Sequence, residues 1–203
     1  MHLIHNNRHI INGLLMNQSH QWKKNMEEQN IRKALVDGNQ RFLKGANSAI
    51  EKSMEAIKET SKHGQKPFAI VLTCSDSRVV PEYIFDMPIG SFFTIRTAGE
   101  ALSMDTIGSI EYAYLHLHVS YLLILSHTNC GAVGAALEKN GENAELKELI
   151  DEIKARIKST KDYAEAVKIN GHEAGVEAKK AEAGLLVDEA VYDISNGKVS
   201  FIS

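Results

Sequence analysis

Short, uninterrupted apolar runs alternate with stretches of helical periodicity along most of this chain. Three runs are bounded by turn-forming residues and are typical of strands buried on both faces, namely Phe68–Thr73, Ser91–Arg96 and Tyr121–Leu125. Helical spacing of apolar residues predicts helices over residues 27–43, Ala49–His63, Met104–Leu117 and Gly131–Leu137. Strands that alternate with helices predict an α/β fold with a central, mostly parallel β-sheet flanked by α-helices.

The last third of the chain has two kinds of pattern. Residues 144–182 are charged and helical, with an apolar stripe of Leu146, Leu149, Ile150, Ile153 and Ile157. Within this region Gly171–Gly184 has small and charged residues and only one sizeable aliphatic, so it is either a helix on the surface or a loosely ordered segment. The apolar segments on either side of Asn196-Gly197 predict a terminal strand or hairpin.

Composition narrows the class of protein. The 203 residues suffice for one domain, and a net charge of −3 provides no basic patch for nucleic acid. Apolar stretches such as Val119–Ser126 are far shorter than the roughly 20 residues that cross a bilayer, so no membrane partner is expected. We expect a cytoplasmic protein with one catalytic domain over residues 27–203. Residues 1–26 are interpreted as an N-terminal extension, either a disordered arm, an arm exchanged between subunits or an upstream segment.

The candidate chemistry lies in two short motifs that follow apolar runs. They contain the only two cysteines, Cys74 and Cys130, together with His127 three positions before the second. A disulfide is possible in principle, but free cysteine pairs of intracellular proteins more often bind metal. Two thiolates and an imidazole suit Zn²⁺, and three ligands leave one position for water or substrate. Because ligands bind beyond the carboxyl ends of parallel strands, the two motifs converge if their strands are neighbours.

Three further residues belong to these motifs. Asp76 and Arg78 alternate with Cys74 in an extended segment, so their side chains can leave the backbone on the same side. A guanidinium would hold the carboxylate oriented and ionised beside a metal, whereas an isolated pair would be an ordinary surface ion pair. Gly131, directly after Cys130, lets the backbone approach a metal or substrate closely.

Both motifs resemble the signature motifs of the β-class carbonic anhydrases. The matching segments are Cys74-Ser75-Asp76-Ser77-Arg78-Val79 and His127-Thr128-Asn129-Cys130-Gly131-Ala132-Val133. Weaker matches extend the resemblance over residues 27–203, among them Ile95-Arg96 with Ala98-Gly99 and the tyrosine-containing stretch at residues 109–113.

The resemblance implies reversible hydration of CO₂ to bicarbonate and a proton, by hydroxide on one zinc ion per subunit. Cys74, His127 and Cys130 match the zinc ligands. Asp76 would orient the hydroxide, and Arg78 would keep the carboxylate away from the metal. In some members this aspartate becomes the fourth ligand and closes the site.

Family members whose site stays open line the substrate pocket with residues that match Gln65, Phe93 and Tyr112. Gly131 is assigned to the same pocket. We therefore expect the open form. Part of the pocket comes from a neighbouring subunit in this family, which implies a homodimer or homotetramer. Two alternatives remain: a carbonyl sulfide or carbon disulfide hydrolase on the same fold, and a non-catalytic zinc-binding homologue with Asp76 permanently on the metal.

The chain also departs from the family pattern. Thr97 and Glu100 stand where asparagines are common, and Ser126 stands where a glycine usually precedes the zinc histidine. Residues 170–185 are shorter and less apolar than in typical members. None of these changes removes a zinc ligand or the Asp76–Arg78 pair.

Overall fold

The computed structural model of the protein describes residues 28–138, 144–158 and 160–202, so the expectation for residues 1–26 concerns a part of the chain outside these ranges. The chain divides into two units after Leu35, and the first is described only over its helical residues 28–35. The second unit contains the sheet and both sequence motifs. No helix within the described ranges has the length and apolar character needed to cross a membrane.

Five strands form one sheet in the order β2-β1-β3-β4-β5. They are β1 (Ala69–Cys74), β2 (Phe92–Thr97), β3 (Tyr121–His127), β4 (Leu186–Tyr192) and β5 (Val199–Ile202). The first four are parallel, and β5 runs antiparallel to β4 as the second strand of the predicted hairpin. Every residue of β1 and β3 is buried, which explains their uninterrupted apolar sequences.

Seven helices accompany the sheet in the part of the chain that the structure describes. They are α1 (residues 28–43), α2 (Ser53–His63), α3 (Pro81–Ile84), α4 (Met104–Leu117), α5 (Gly131–Glu138), α6 (Ala144–Ile157) and α7 (Tyr163–Ala181). Short 3₁₀ turns cover Ile50–Lys52, before α2, and Ala98–Glu100, after β2. The predicted fold class, a mostly parallel sheet flanked by helices, is confirmed.

Two apolar clusters hold these elements together. On one face of the sheet, alternate residues of β1 and β3 pack with α4 and α7, among them Ile70, Leu72, Leu122 and Ile124. A second cluster joins α5, α6 and the first turns of α7 and includes Cys74 and Cys130. The candidate metal ligands therefore lie at the boundary of a packed core.

The segment Gly171–Gly184 differs from both sequence-based interpretations. Most of it belongs to α7, and its small residues Gly171, Ala174, Gly175 and Ala178 are buried. A Cβ on Gly171 would lie 2.5 Å from Ser126 Oγ, and one on Gly175 would lie 3.0 Å from Val187 Cγ1. The segment is thus a closely packed helix whose small side chains let its backbone approach β3 and β4.

Candidate metal centre

The two sequence motifs meet at the carboxyl ends of β1 and β3, which are neighbouring parallel strands. Cys74 is the last residue of β1, His127 is the last of β3, and Cys130 directly precedes α5. One ligand atom from each lies within 4.8 Å of the others, and the two sulfur atoms are 3.9 Å apart. All three residues are buried and both cysteines are free thiols. The predicted convergence of the motifs is therefore present.

The His127 ring is oriented as a metal ligand. Its Nδ1 lies 2.8 Å from the carbonyl oxygen of Thr128, so the ring proton sits on Nδ1 and donates to that oxygen. Nε2 consequently carries the free lone pair, and it is buried without a hydrogen-bond partner among the described residues. A buried acceptor without a partner is costly, and a metal ion would satisfy it.

The two cysteine thiols lie close enough together for one metal cation to bind both sulfurs in place of their protons. The Cys74 and Cys130 sulfur atoms lie within hydrogen-bond distance, and this pairing lowers the pKa of Cys74, although burial acts in the opposite direction. The same pairing, together with burial, raises the pKa of Cys130. A divalent cation would displace the thiol protons and bind both sulfurs as thiolates, as zinc does with sulfur and imidazole ligands.

Asp76 and Arg78 form the bidentate pair that their spacing predicts. Arg78 Nε lies 2.9 Å from one carboxylate oxygen of Asp76, and Nη2 lies 2.7 Å from the other. The backbone amide of Arg78 also donates to this carboxylate, at 3.0 Å. The Arg78 side chain holds the pKa of Asp76 well below its usual range. Asp76 is not a member of the three-residue cluster.

A family model described as carbonic anhydrase matches residues 69–193, which is more than half of the chain. The structure is similar to a β-carbonic anhydrase of Aspergillus fumigatus, CafA, with a TM-score of 0.60 and 26% identity over 75% of this chain and 84% of that one. The chain belongs to the β-class carbonic anhydrase family.

Two further similarities define the extent of this relationship. Carbonic anhydrase 2 of Mycobacterium tuberculosis (strain CDC 1551 / Oshkosh) is 44% identical over 105 residues, which cover 52% of this chain and 50% of that protein. The chain thus spans about half the length of the curated relatives it matches. A tetrameric β-carbonic anhydrase of Sordaria macrospora has the same fold, with a TM-score of 0.60 and 23% identity over 75% of this chain and 93% of that one.

In this member of the family the loop after β1 is held by Arg96, a residue that sequence analysis identified only as a family match. Arg96 Nε donates to the carbonyl oxygen of Cys74 at 3.3 Å, and Nη2 donates to that of Asp76 at 2.7 Å. One side chain on β2 thereby fixes the backbone on both sides of the metal-ligand loop. The cysteine and histidine spacing gave no signal of this role.

Three of the four residues assigned to the substrate pocket lie at the other end of the sheet. Phe93 pairs with Ile70, four positions before Cys74 along the strands, a separation of roughly 13 Å at the usual rise per residue. Tyr112 on α4 contacts Phe93, with ring centroids 6.1 Å apart. Gln65 is exposed in the loop before β1. Within one chain these residues do not reach the cluster, and their pocket role stays a prediction.

Gly131, the fourth pocket residue, does lie beside the cluster as the first residue of α5. A Cβ added there would meet nothing within 4 Å. The space next to Cys130 is therefore open within one chain, and the approach of a metal or substrate to the Gly131 backbone stays a prediction.

Other residues that contact the cluster were missed by sequence analysis. The Gly99 amide donates to Cys74 Sγ at 3.4 Å, and the Tyr163 hydroxyl donates to the Cys130 carbonyl oxygen at 2.5 Å. Glu100, next to Gly99, is only 1% exposed. Burial raises the pKa of the Glu100 carboxyl to about 8, and the neighbouring Cys74 thiolate adds to this rise. The only sequence signal for Glu100 was its departure from the family pattern.

Proposed function

We propose that this protein is a carbonic anhydrase that catalyses the reversible hydration of carbon dioxide to bicarbonate and a proton. One observation carries the proposal: a buried cluster of two sulfurs and one nitrogen lies beside an arginine-held carboxylate that is outside the cluster. Three ligands with no carboxylate among them leave a coordination position for a reactant.

Zinc fits this cluster because His127 Nε2 lacks a hydrogen-bond partner among the described residues and the two free cysteine sulfurs lie 3.9 Å apart. When bound, zinc supplies a Lewis acid and lowers the pKa of a water molecule to near neutral. Asp76 remains ionised and accepts a hydrogen bond from the nucleophile, which orients an oxygen lone pair toward the substrate carbon. Arg78 occupies both carboxylate oxygens and restrains Asp76 from becoming a ligand.

The proposed active unit is a homodimer or a homotetramer, in which Gln65, Phe93 and Tyr112 of one copy line the pocket of the next. Their distance from the cluster within a chain supports this assignment, as does the tetrameric state of the Sordaria macrospora relative. The two free thiols favour a reducing, cytoplasmic location.

The test begins with purified protein expressed with ample zinc. Elemental analysis should find one zinc per chain in the wild type and none in Cys74→Ser, which keeps the size of the side chain but weakens the ligand. Stopped-flow measurement should then find CO₂ hydration only in the zinc-containing protein. Loaded protein that releases sulfide from carbonyl sulfide but does not hydrate CO₂ would identify a related hydrolase instead. Zinc-loaded protein that has neither activity, and in which Asp76 is bound to zinc even at high pH, would identify a non-catalytic homologue.

A further inference from the structure

Two departures from the family pattern, Glu100 and Ser126, contact each other in the interior. The Ser126 hydroxyl donates to Glu100 Oε2 at 3.2 Å, and the side-chain amide of Asn170 on α7 donates to the same oxygen at 3.1 Å. Ser126 is 2% exposed and Asn170 is fully buried. The Glu100 carboxyl therefore accepts two hydrogen bonds in a site without access to solvent.

Both donors connect the carboxyl to residues next to metal ligands. Ser126 immediately precedes His127 on β3. Asn170 donates a second hydrogen bond, at 2.9 Å, to the carbonyl oxygen of Gly99, whose own amide donates to Cys74 Sγ. One carboxyl thus connects the strand end that carries His127 with the turn that contacts Cys74.

The backbone of this turn needs such an anchor. Gly99 and Glu100 both have positive φ, 65° and 55°, and the left-handed region is unfavourable for a residue with a side chain. The buried Arg156 side chain donates to the Glu100 carbonyl oxygen at 3.2 Å. Main chain and side chain of Glu100 are therefore both held in the conformation that directs the Gly99 amide to the sulfur.

Space for this network is created by α7. A Cβ on Gly171 would lie 2.5 Å from Ser126 Oγ, so the serine can occupy its position only because residue 171 has no side chain. Gly171 thus leaves room for Ser126, which together with Asn170 donates to Glu100 Oε2. The arrangement involves β3, α7 and the turn after β2.

We propose that Glu100 is a positioning residue of the metal centre, which fixes the Gly99 amide on Cys74 Sγ and the end of β3 at His127. The proposal rests on the zinc site described above. Hydrogen bonds to ligand atoms and to their neighbours set ligand orientation, and losing one typically weakens metal binding about 10- to 100-fold. Glutamine keeps the length of the side chain and an acceptor oxygen for Ser126 and Asn170, whereas alanine removes both.

The experiment compares Glu100→Ala with Glu100→Gln. Zinc affinity is measured by competition with a chelator, and cobalt is substituted to record the thiolate-to-metal absorption bands. Glu100→Ala should bind zinc about 10- to 100-fold more weakly and shift or weaken the cobalt bands, whereas Glu100→Gln should stay close to the wild type. Ser126→Ala, which removes one donor and leaves the carboxyl, should fall between them and reports the same effect if Glu100→Ala does not fold.

Tyr121→Phe is the matched control for a lost buried hydrogen bond. The Tyr121 hydroxyl donates to Asp188 at 2.7 Å, at the opposite end of β3 from His127. This variant should melt at a lower temperature with unchanged zinc affinity and cobalt bands. Wild-type affinity and bands in both Glu100→Ala and Ser126→Ala would overturn the proposal, as would a loss in Glu100→Gln equal to that in Glu100→Ala. A wild type that binds zinc without hydrating CO₂ would refute only the proposed function.

Discussion

At the scale of single residues, the ionisation and orientation of Asp76 determine which chemistry the cluster of Cys74, His127 and Cys130 can support. Its two oxygens accept three hydrogen bonds from Arg78, which keep its pKa far below the usual range. Arg78 is 56% exposed, so solvent screens the pair and its contribution to folding stability is small. The value of the pair is therefore in orientation: it presents an acceptor of fixed direction beside the cluster.

We expect Asp76→Ala to retain zinc but to lose CO₂ hydration by about 100-fold or more, because misplaced reactants carry costs of this size. Elemental analysis and stopped-flow kinetics measure the two quantities on the same preparation. Asp151→Ala is the control, since Asp151 is an exposed carboxylate on α6 that is paired with Lys147. It should keep both zinc and activity. Full activity in Asp76→Ala would rule out the orienting role.

At the scale of secondary-structure elements, the sequence predicts the parallel core well and the helix that covers it poorly. A strand buried on both faces has a nearly continuous apolar sequence, so β1 and β3 are evident, and their adjacency brings Cys74 to His127. Helix α7 is packed through glycine and alanine, whose small side chains leave no apolar periodicity to detect. The turn at Gly99 and Glu100 was missed because a left-handed conformation at a glutamate has no sequence signature.

The packing of α7 gives a prediction about glycine. Gly171→Ala places a methyl group against Ser126 and should lower the free energy of unfolding by about 1–3 kcal/mol, as overpacking does. Gly134→Ala, on α5, places its Cβ 3.5 Å from Tyr163 Cε2, an ordinary van der Waals contact, and should raise it by about 0.5–1 kcal/mol. Urea unfolding followed by circular dichroism measures both. Equal stabilisation by the two substitutions would mean that α7 lies farther from β3 than described.

A buried carboxylate, Asp86, joins α1 to the 3₁₀ turn before α2. Asp86, which is fully buried after α3, accepts hydrogen bonds from Arg41 Nε on α1 at 2.5 Å and from the amides of Ala49 and Ile50, before α2, at 3.0 and 3.1 Å. Burial alone would raise the pKa of Asp86, but Arg41 and the two amides outweigh it, and the pKa is lowered. The ionised form therefore stabilises the folded chain.

This lowered pKa gives a definite pH dependence. Stability from Asp86 is fully present above the unfolded pKa of about 3.9 and is lost as the pH falls through the lower folded value. Asp86→Asn should therefore be less stable than the wild type at pH 7, by about 1–3 kcal/mol, and the difference should shrink below pH 4. Denaturant unfolding of both proteins at a series of pH values measures this difference in unfolding free energy. Groups that titrate in both proteins contribute equally to the two values and cancel from the difference. A gap that widens in acid would contradict the assigned ionisation.

At the scale of the whole molecule, one chain leaves an unpartnered apolar surface next to the predicted pocket residues. β2 is an edge strand of the described sheet, and on α4 the side chains of Met104, Tyr112 and Leu115 are 88%, 47% and 57% exposed. Contiguous exposed apolar side chains indicate an interface, and a symmetric dimer would cover the same surface on both copies. This surface could not be identified from one sequence, because helical periodicity does not distinguish a core face from an interface.

Subunit complementation tests whether the site is completed across this interface. Cys74→Ser retains Tyr112 but lacks a ligand, whereas Tyr112→Ala retains the cluster but lacks the pocket side chain. If Tyr112 serves the neighbouring copy, a mixed dimer contains one intact site, and random mixing of equal amounts should restore about a quarter of the wild-type activity. Mixing Cys74→Ser with His127→Ala is the control and should restore none, because both substitutions disrupt the cluster within their own chain. A Cys74→Ser and Tyr112→Ala mixture that forms mixed dimers and stays inactive would place Tyr112 outside the partner's pocket, so that each chain would have to build its pocket from its own residues.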